Sequence, residues 1–260
     1  MAKIQYKVIQ AEEPESPSRE LLEITEGGRT LITTLKAFGP NTFNRNVAEM
    51  QRQYSPTSTF RLGEITTAES VLAALYNFPN RAKLQIFDSN WLQLGRIVRG
   101  QDMVYLNPPK DAQGNPITDE SHLKTLLNQA EKVNGIWMLP NGKIEGVRDF
   151  VGVPYETFQQ QKEQSAEDFA QSGLARGLEC SRTKTAEKLA EIASKKNYPL
   201  VIHVRGFEPC KTPILKVAGL FSDKALDCQR LIVSGDYKGG SNNGYAFGVF
   251  SSRKASAPKD

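Results

Sequence analysis

Short strand-like runs, each closed by turn residues, recur along this chain and restrict it to a fold that contains a sheet. Apolar and β-branched residues concentrate in these runs, and Gly, Pro, Asn and Asp separate them, as is typical of antiparallel strands. The sequence therefore predicts a mainly antiparallel sheet. The predicted strands occupy residues 3–10, 20–25, 30–37, 83–87, 93–99, 102–106, 200–204, 214–221, 231–234 and 245–250.

Helical periodicity fills several stretches between those runs. The clearest helix start is Thr66, because Glu69 follows three residues later as in a capping box. Blocks of strands and blocks of helices in one chain indicate an α+β fold, with helices packed against the sheet. The predicted helices cover residues 42–53, 66–78, 118–133 and much of 155–196.

Near residue 150 the pattern changes from mixed strands and helices to a long helical segment followed by strands. This change predicts a division of the chain, which is compatible with two small subdomains. Residues 1–150 form a mixed N-terminal part, 151–250 a helical hairpin followed by antiparallel sheet, and 251–260 a flexible tail. Within the first part, the pair Asn141-Gly142 favours a hairpin between 135–139 and 143–147, because Asn-Gly suits a two-residue turn.

Composition narrows the class of protein. No apolar run approaches the length of a membrane span, and the N-terminus alternates like a strand and carries no secretory signal, so a cytoplasmic protein without membrane contact is expected. The chain has three cysteines, at 180, 210 and 228, and none of them forms a C-x-x-C pair. Cys180, Cys210, Cys228 and His203 lack the short ligand spacing of zinc sites, so neither a metal nor a cofactor is predicted.

Positive charge is concentrated between Arg176 and Lys216. This segment holds nine basic and four acidic residues, whereas the net charge of all 260 residues is only +4. A local surplus attracts phosphates more effectively than the total does, because salt screens charges over about 10 Å. The segment is therefore the first candidate for contact with DNA or RNA.

Residues 171–189 resemble a helix-turn-helix, with Ala175 at the helix crossing, Leu178 buried and the polar turn 180–185 before a second helix. Glu179 stands where that motif usually has Gly, so a plain antiparallel helical hairpin is the favoured interpretation. Lys184, Lys188 and Lys195 then share one face of the second helix, where they form a ridge that follows phosphates. The predicted nucleic-acid-binding residues are Arg176, Arg182, Lys184, Lys188, Lys195 and Lys196.

A metal-dependent nuclease is the first alternative function. The apolar run 231–234 leads into Asp236 and Lys238, and Asp223 lies upstream. Two carboxylates can hold Mg²⁺ while a lysine activates water. The Gly-rich stretch 239–244 makes the tip of a hairpin loop the simpler interpretation of the same residues.

A structural assembly or interaction protein is the second alternative, because the sequence offers many strands and long polar loops without a convergent catalytic set. A non-catalytic subunit of a nucleoprotein complex combines this class with the basic segment. The sequence thus predicts a nucleic-acid-associated binding protein that contacts phosphates through a basic helical hairpin and has nucleic acid and protein partners. It favours a binding protein over an enzyme.

Overall fold

A computed structural model describes the fold of residues 5–11, 19–26, 29–34, 38–54, 60–62, 91–147, 149–158, 163–178, 201–223, 230–237 and 242–252. Within these ranges the architecture is α+β, with short helices packed against mainly antiparallel sheet, which confirms the predicted fold class. The predicted helix 66–78 and the predicted strand 83–87 lie outside the described residues.

The described elements follow one another in an order that mixes strands and short helices. The strands are β1 (Gln5–Ala11), β2 (Arg19–Glu26), β3 (Arg29–Thr34), β4 (Phe38–Asn41), β5 (Phe60–Leu62), β6 (Trp91–Arg99), β7 (Met103–Leu106), β8 (Glu131–Val133), β9 (Ile136–Met138), β10 (Val151–Pro154), β11 (Glu163–Gln164), β12 (Val201–Arg205), β13 (Ile214–Asp223), β14 (Arg230–Tyr237), β15 (Gly244–Ala246) and β16 (Val249–Ser252). The helices are α1 (Phe43–Gln53), α2 (Glu120–Leu127), α3 (Ala166–Gln171), α4 (Gly173–Leu178) and a 3-10 turn (Tyr155–Thr157).

Two sheets organise these strands. The smaller sheet has the order β1-β2-β3-β16-β5 and is antiparallel throughout. The larger sheet runs β11-β12-β14-β13-β6-β7-β10-β9-β8, and β15 joins it beside β6 and carries β4. Only the pairs β12–β14 and β15–β6 are parallel among the described strands. Both sheets pair strands from either side of residue 150, through β16 in the smaller sheet and the β6–β13 pair in the larger one.

The larger sheet is covered on both faces, because successive side chains of a strand point to opposite sides. On one face, Val98 and Tyr105 pack with Phe150 and with Leu123 and Leu127 of α2. The opposite face is covered by α3 and α4. Its core contains Val104, Leu106, Val151, Val153, Phe169, Leu174 and Leu178. Helix α1 builds a third cluster, in which Phe43 and Met50 meet Val217, Tyr237 and Ala246.

Polar caps explain where the longer helices begin. The Thr42 hydroxyl accepts a hydrogen bond from the Arg45 N–H at 3.2 Å, and the Asp119 carboxylate accepts one from the His122 N–H at 3.0 Å. Each cap satisfies a donor that the first helical turn leaves unpaired. The predicted start at residue 42 is confirmed, whereas α2 ends at Leu127 and the predicted continuation to 133 is instead β8.

The predicted hairpin around Asn141-Gly142 is wrong. Strand β9 pairs with β8 across Asn134-Gly135, whose φ angles of 50° and 87° are those of a tight hairpin turn. Residues 143–147 form turns rather than a strand. The Asn141 side chain instead binds Asp149, accepting its N–H at 2.8 Å and donating to its Oδ1 at 3.1 Å.

Helix α4 is the described part of the proposed helical hairpin. Ala175 and Leu178 are buried, as the sequence predicts, and α4 packs on β9 and β10. A Cβ at Gly177 would lie 2.5 Å from the Val153 Cγ2, so the absence of a side chain permits this close packing. The polar turn 180–185 and the second helix lie outside the described residues.

Candidate functional site

A β-bulge on β14 lies near the end of the larger sheet at which Arg99 is buried. Gly219 pairs with Ser234 and Val217 pairs with Tyr237, so Gly235 and Asp236 together face the single residue between Val217 and Gly219. Such a bulge re-aims a side chain locally. It directs Asp236 to the face of the sheet that α3 and α4 cover, opposite to the buried ring of Tyr237.

The loop after β12 crosses this bulge closely. Gly206 adopts a φ of 73°, and a Cβ at this position would lie 2.6 Å from the Cβ of Asp236. Glycine is the residue that accepts a positive φ and such a close approach without strain. The loop can therefore place Phe207 and Glu208 directly over the end of β14.

Five residues form what we call the Arg99 cluster: Arg99, Tyr155, Glu208, Lys216 and Asp236. The Lys216 Nζ lies 2.7 Å from the Asp236 Oδ1, and the Arg99 Nη1 lies 3.8 Å from the same oxygen. Arg99 donates from Nε and Nη2 to the backbone oxygen of Glu208, at 3.1 and 2.8 Å. One carboxylate is thus held between two cations at the end of the sheet.

Exposure divides the cluster into an inner and an outer part. The Arg99 side chain is 9% exposed and that of Lys216 27%, whereas Asp236 and Glu208 are 51% and 70% exposed. The guanidinium is therefore fixed inside the protein, while both carboxylates reach water. Ion pairs with carboxylates this exposed contribute little to stability, because water and salt screen them.

Tyr155 closes the inner side of the cluster. Its hydroxyl donates to the Gly100 backbone oxygen at 3.1 Å and lies 3.4 Å from the Glu208 backbone oxygen. Burial raises the pKa of the Tyr155 hydroxyl well above its usual range, and the nearby Arg99 charge opposes that rise. The hydroxyl thus stays protonated and remains a donor at neutral pH.

A second polar group, centred on Glu120, lies beside the Arg99 cluster. Its carboxylate accepts hydrogen bonds from the Gln101 N–H at 2.9 Å and from the Tyr105 hydroxyl at 3.1 Å. Burial raises the pKa of Tyr105, and the Glu120 charge raises it further. Glu120 thereby fixes the turn between β6 and β7, directly after Arg99.

The two tyrosines predict a loss of stability in alkali. Both have a folded-state pKa above the unfolded value of about 10, so each contributes stability that is complete below that pH and is lost above it. The free energy of unfolding should fall by about 1.4 kcal/mol per pH unit for each tyrosine. Urea unfolding between pH 8 and about 11 measures this slope. Tyr155→Phe should make it shallower, and an unchanged slope in that variant would contradict the assignment.

The predicted nucleic-acid-binding residues fall mostly outside the described part of the chain. Arg176 is described: its Nη1 donates to the Asn134 backbone oxygen at 3.0 Å and so ties α4 to the β8–β9 turn. The remaining five lie outside the described residues, namely Arg182, Lys184, Lys188, Lys195 and Lys196.

The residues of the predicted nuclease site are separated along β14. Asp223 pairs with Arg230 at the start of that strand, and Asp236 lies near its end. A rise of about 3.3 Å per residue places the two positions roughly 20 Å apart, too far for one Mg²⁺ ion. Lys238 lies outside the described residues. Asp236 faces Lys216 and Arg99, and that charge balance leaves the carboxylate poorly suited to a metal.

Sequence reasoning missed Arg99, Tyr155 and Glu208. The available signal was Arg99 itself, a charged residue at the end of the apolar run Ile97-Val98, since charged residues are rarely buried without a partner.

The chemistry that the assembled cluster can perform is anion binding, because a fixed guanidinium and an ammonium point at one oxygen.

Across the described ranges no helix has both the length and the apolar character to cross a bilayer. The same ranges contain no group of three or more His, Cys, Asp or Glu that could hold a metal ion. Comparison of the chain with protein-family models, with curated proteins and with solved structures found no match.

Proposed function

We propose that this protein binds nucleic acid without cleaving it and serves as a non-catalytic subunit of a nucleoprotein complex. The observation that carries the proposal is the surplus of basic over acidic residues between Arg176 and Lys216, nine against four. Contacts to phosphates supply most of the affinity of sequence-independent binding. The contacting side chains would be those of the basic helical hairpin, together with cations at the end of the larger sheet.

The described residues of that segment support the proposal by their position. Arg205 and Lys211 are exposed, and they lie at the end of β12 and in the loop that leads to β13. Lys216 follows on β13, within the Arg99 cluster. Cations that project from one end of a sheet produce a local positive field, which steers a polyanion toward the protein.

The state of Asp236 favours binding over cleavage. Its carboxylate lies 2.7 Å from an ammonium, and the other aspartate of the nuclease hypothesis, Asp223, ends β13 opposite the start of β14. A nuclease of that type requires Mg²⁺ held by carboxylates that converge on it. Shortening of a labelled oligonucleotide with Mg²⁺, and its loss in Asp236→Ala, would replace the binding proposal with the nuclease.

Changing Lys184, Lys188 and Lys195 together to Ala is expected to weaken binding of single-stranded DNA or RNA by about tenfold or more. Each lost phosphate contact removes about 0.7–0.9 from the slope of log affinity against log salt, so the slope should decrease by about 2–3. Fluorescence anisotropy at several salt concentrations measures both quantities.

The matched control removes three exposed lysines elsewhere, Lys110, Lys132 and Lys143. It changes the net charge by the same amount. Because these lysines lie outside the basic segment, the variant should keep most of the affinity and of the salt slope. Equal losses in both triple variants would show general charge attraction rather than a site, and absence of binding by the unaltered protein at low salt would overturn the proposal.

A further inference from the structure

We infer that the Arg99 cluster is a phosphate-binding site and that the Asp236 carboxylate occupies the position that a phosphate oxygen takes on binding. The inference rests on the proposed function for the source of the phosphate, which is a nucleic-acid backbone. The Asp236 Oδ1 marks the position, because it lies 2.7 Å from the Lys216 Nζ and 3.8 Å from the Arg99 Nη1.

The cationic half of the site is fixed before any ligand arrives. Arg99 is held by two hydrogen bonds from Nε and Nη2 to the Glu208 backbone oxygen, so its Nη1 edge keeps one direction. The Tyr155 hydroxyl donates to the backbone oxygen of Gly100, in the turn that directly follows Arg99. A guanidinium that is already oriented loses little freedom when it binds a phosphate, which favours affinity.

The Asp236 carboxylate can move out of the site. Asp236 is half exposed and sits on a bulge, so rotation of its side chain returns the carboxylate to water. The Glu208 carboxylate contacts Arg99 at 3.4 Å through Nη2, on the other side of the guanidinium from Nη1. Asp236 is therefore the carboxylate of this cluster that competes with a ligand for both cations.

A phosphate is the class of ligand best suited to replace the Asp236 carboxylate between the two cations. It offers several oxygens to the two cations where the carboxylate presents one, and charge-assisted bonds from Arg to phosphate are among the stronger hydrogen bonds in proteins. A backbone carries further phosphates on either side, which can meet the exposed Arg205 and Lys211. A chain of phosphates should therefore displace Asp236 more readily than a single ion does.

The test combines a small probe with a polymeric one. Asp236→Asn keeps the size of the side chain but removes the competing charge, so it should tighten binding of pyrophosphate and of a single-stranded oligonucleotide by about fivefold or more. Adding Lys216→Met, which keeps the aliphatic stem, should abolish that gain. Calorimetry reports pyrophosphate binding, and anisotropy reports the oligonucleotide.

Glu208→Gln is the matched control, because it removes the same charge from the same cluster but leaves the carboxylate that lies between Lys216 and Arg99. The inference expects less than half the gain of Asp236→Asn. Equal gains in the two variants, or no gain in Asp236→Asn, would overturn it.

The two probes also separate this site from the proposed function. Pyrophosphate binding that appears in Asp236→Asn and disappears with Lys216→Met, without oligonucleotide binding by any variant, supports the anion site but removes the nucleic-acid function. Oligonucleotide binding that all of these substitutions leave unchanged supports the function and overturns the inference.

Discussion

Replacing Phe150 by Ala is expected to lower the free energy of unfolding by about 3–5 kcal/mol. The ring is completely buried before β10, and it stacks on Tyr105 with 6.3 Å between ring centroids. It also belongs to the cluster that joins α2 to the sheet, so its removal leaves a cavity between two layers. Urea unfolding measures the loss, provided that the slope against urea stays unchanged.

Leu215→Ala is the control for this prediction. Leu215 lies on β13 and is 40% exposed, so its truncation should cost no more than about 1 kcal/mol. If Phe150→Ala costs no more than Leu215→Ala, the packing of α2 on the larger sheet is contradicted.

Gly177→Leu is expected to destabilise the protein by about 2–3 kcal/mol, although leucine favours helices more than glycine does. A Cβ at this position would lie 2.5 Å from the Val153 Cγ2 and 3.0 Å from the Leu106 Cδ1, both in the core. The added side chain must push α4 away from β10. Gly177→Ala should show a smaller loss, and thermal unfolding compares the series.

Gln171→Leu is the counterpart on an exposed position of α3. It adds a leucine to the neighbouring helix without meeting the sheet, so a change within about 0.5 kcal/mol is expected. If Gly177→Leu stabilises the protein, helix propensity dominates and the close packing of α4 on β10 is wrong.

The strands of this fold are largely predictable from sequence, because period and turn chemistry act locally. The predicted runs 93–99 and 102–106 correspond to β6 and β7, and the predicted runs 20–25 and 30–37 correspond to β2 and β3. The start of α1 is equally local, since Thr42 caps it. Strand order is not local, and nothing in the sequence indicates that β12 pairs with β14 in parallel.

The two Asn-Gly pairs show where local chemistry stops being informative. Asn134-Gly135 and Asn141-Gly142 offer the same turn, yet only the first closes a hairpin. The second pair also lies in a turn, in which the Lys143 N–H donates to the Pro140 backbone oxygen at 3.1 Å, but no strand follows that turn, and the Asn141 side chain is bound to Asp149. Turn propensity alone predicts a hairpin at both Asn-Gly pairs, and the tertiary contacts of the flanking residues determine which of them forms one.

The candidate site is less predictable than the fold. Arg99 and Glu208 are 109 positions apart in the chain and meet only because β6, β13 and β14 are neighbours. Asp236 was singled out from its sequence context, but as a metal ligand rather than as the partner of Lys216. The pairing with Lys216 arises from a bulge, for which the sequence signal is Gly235 inside an otherwise strand-like run.

The position of β16 in the smaller sheet affects how the protein is made. This strand pairs with β3 on one side and β5 on the other, so β3 and β5 have no direct ladder with each other. During synthesis the N-terminal strands emerge first, and the edge of β3 stays unpaired with β16 until residues 249–252 have been translated. Open edges of this kind invite pairing with other chains, and distant contacts slow folding. We therefore expect ribosome-bound chains that lack β16 to depend on chaperones, and chains in which β16 has emerged to lose that dependence.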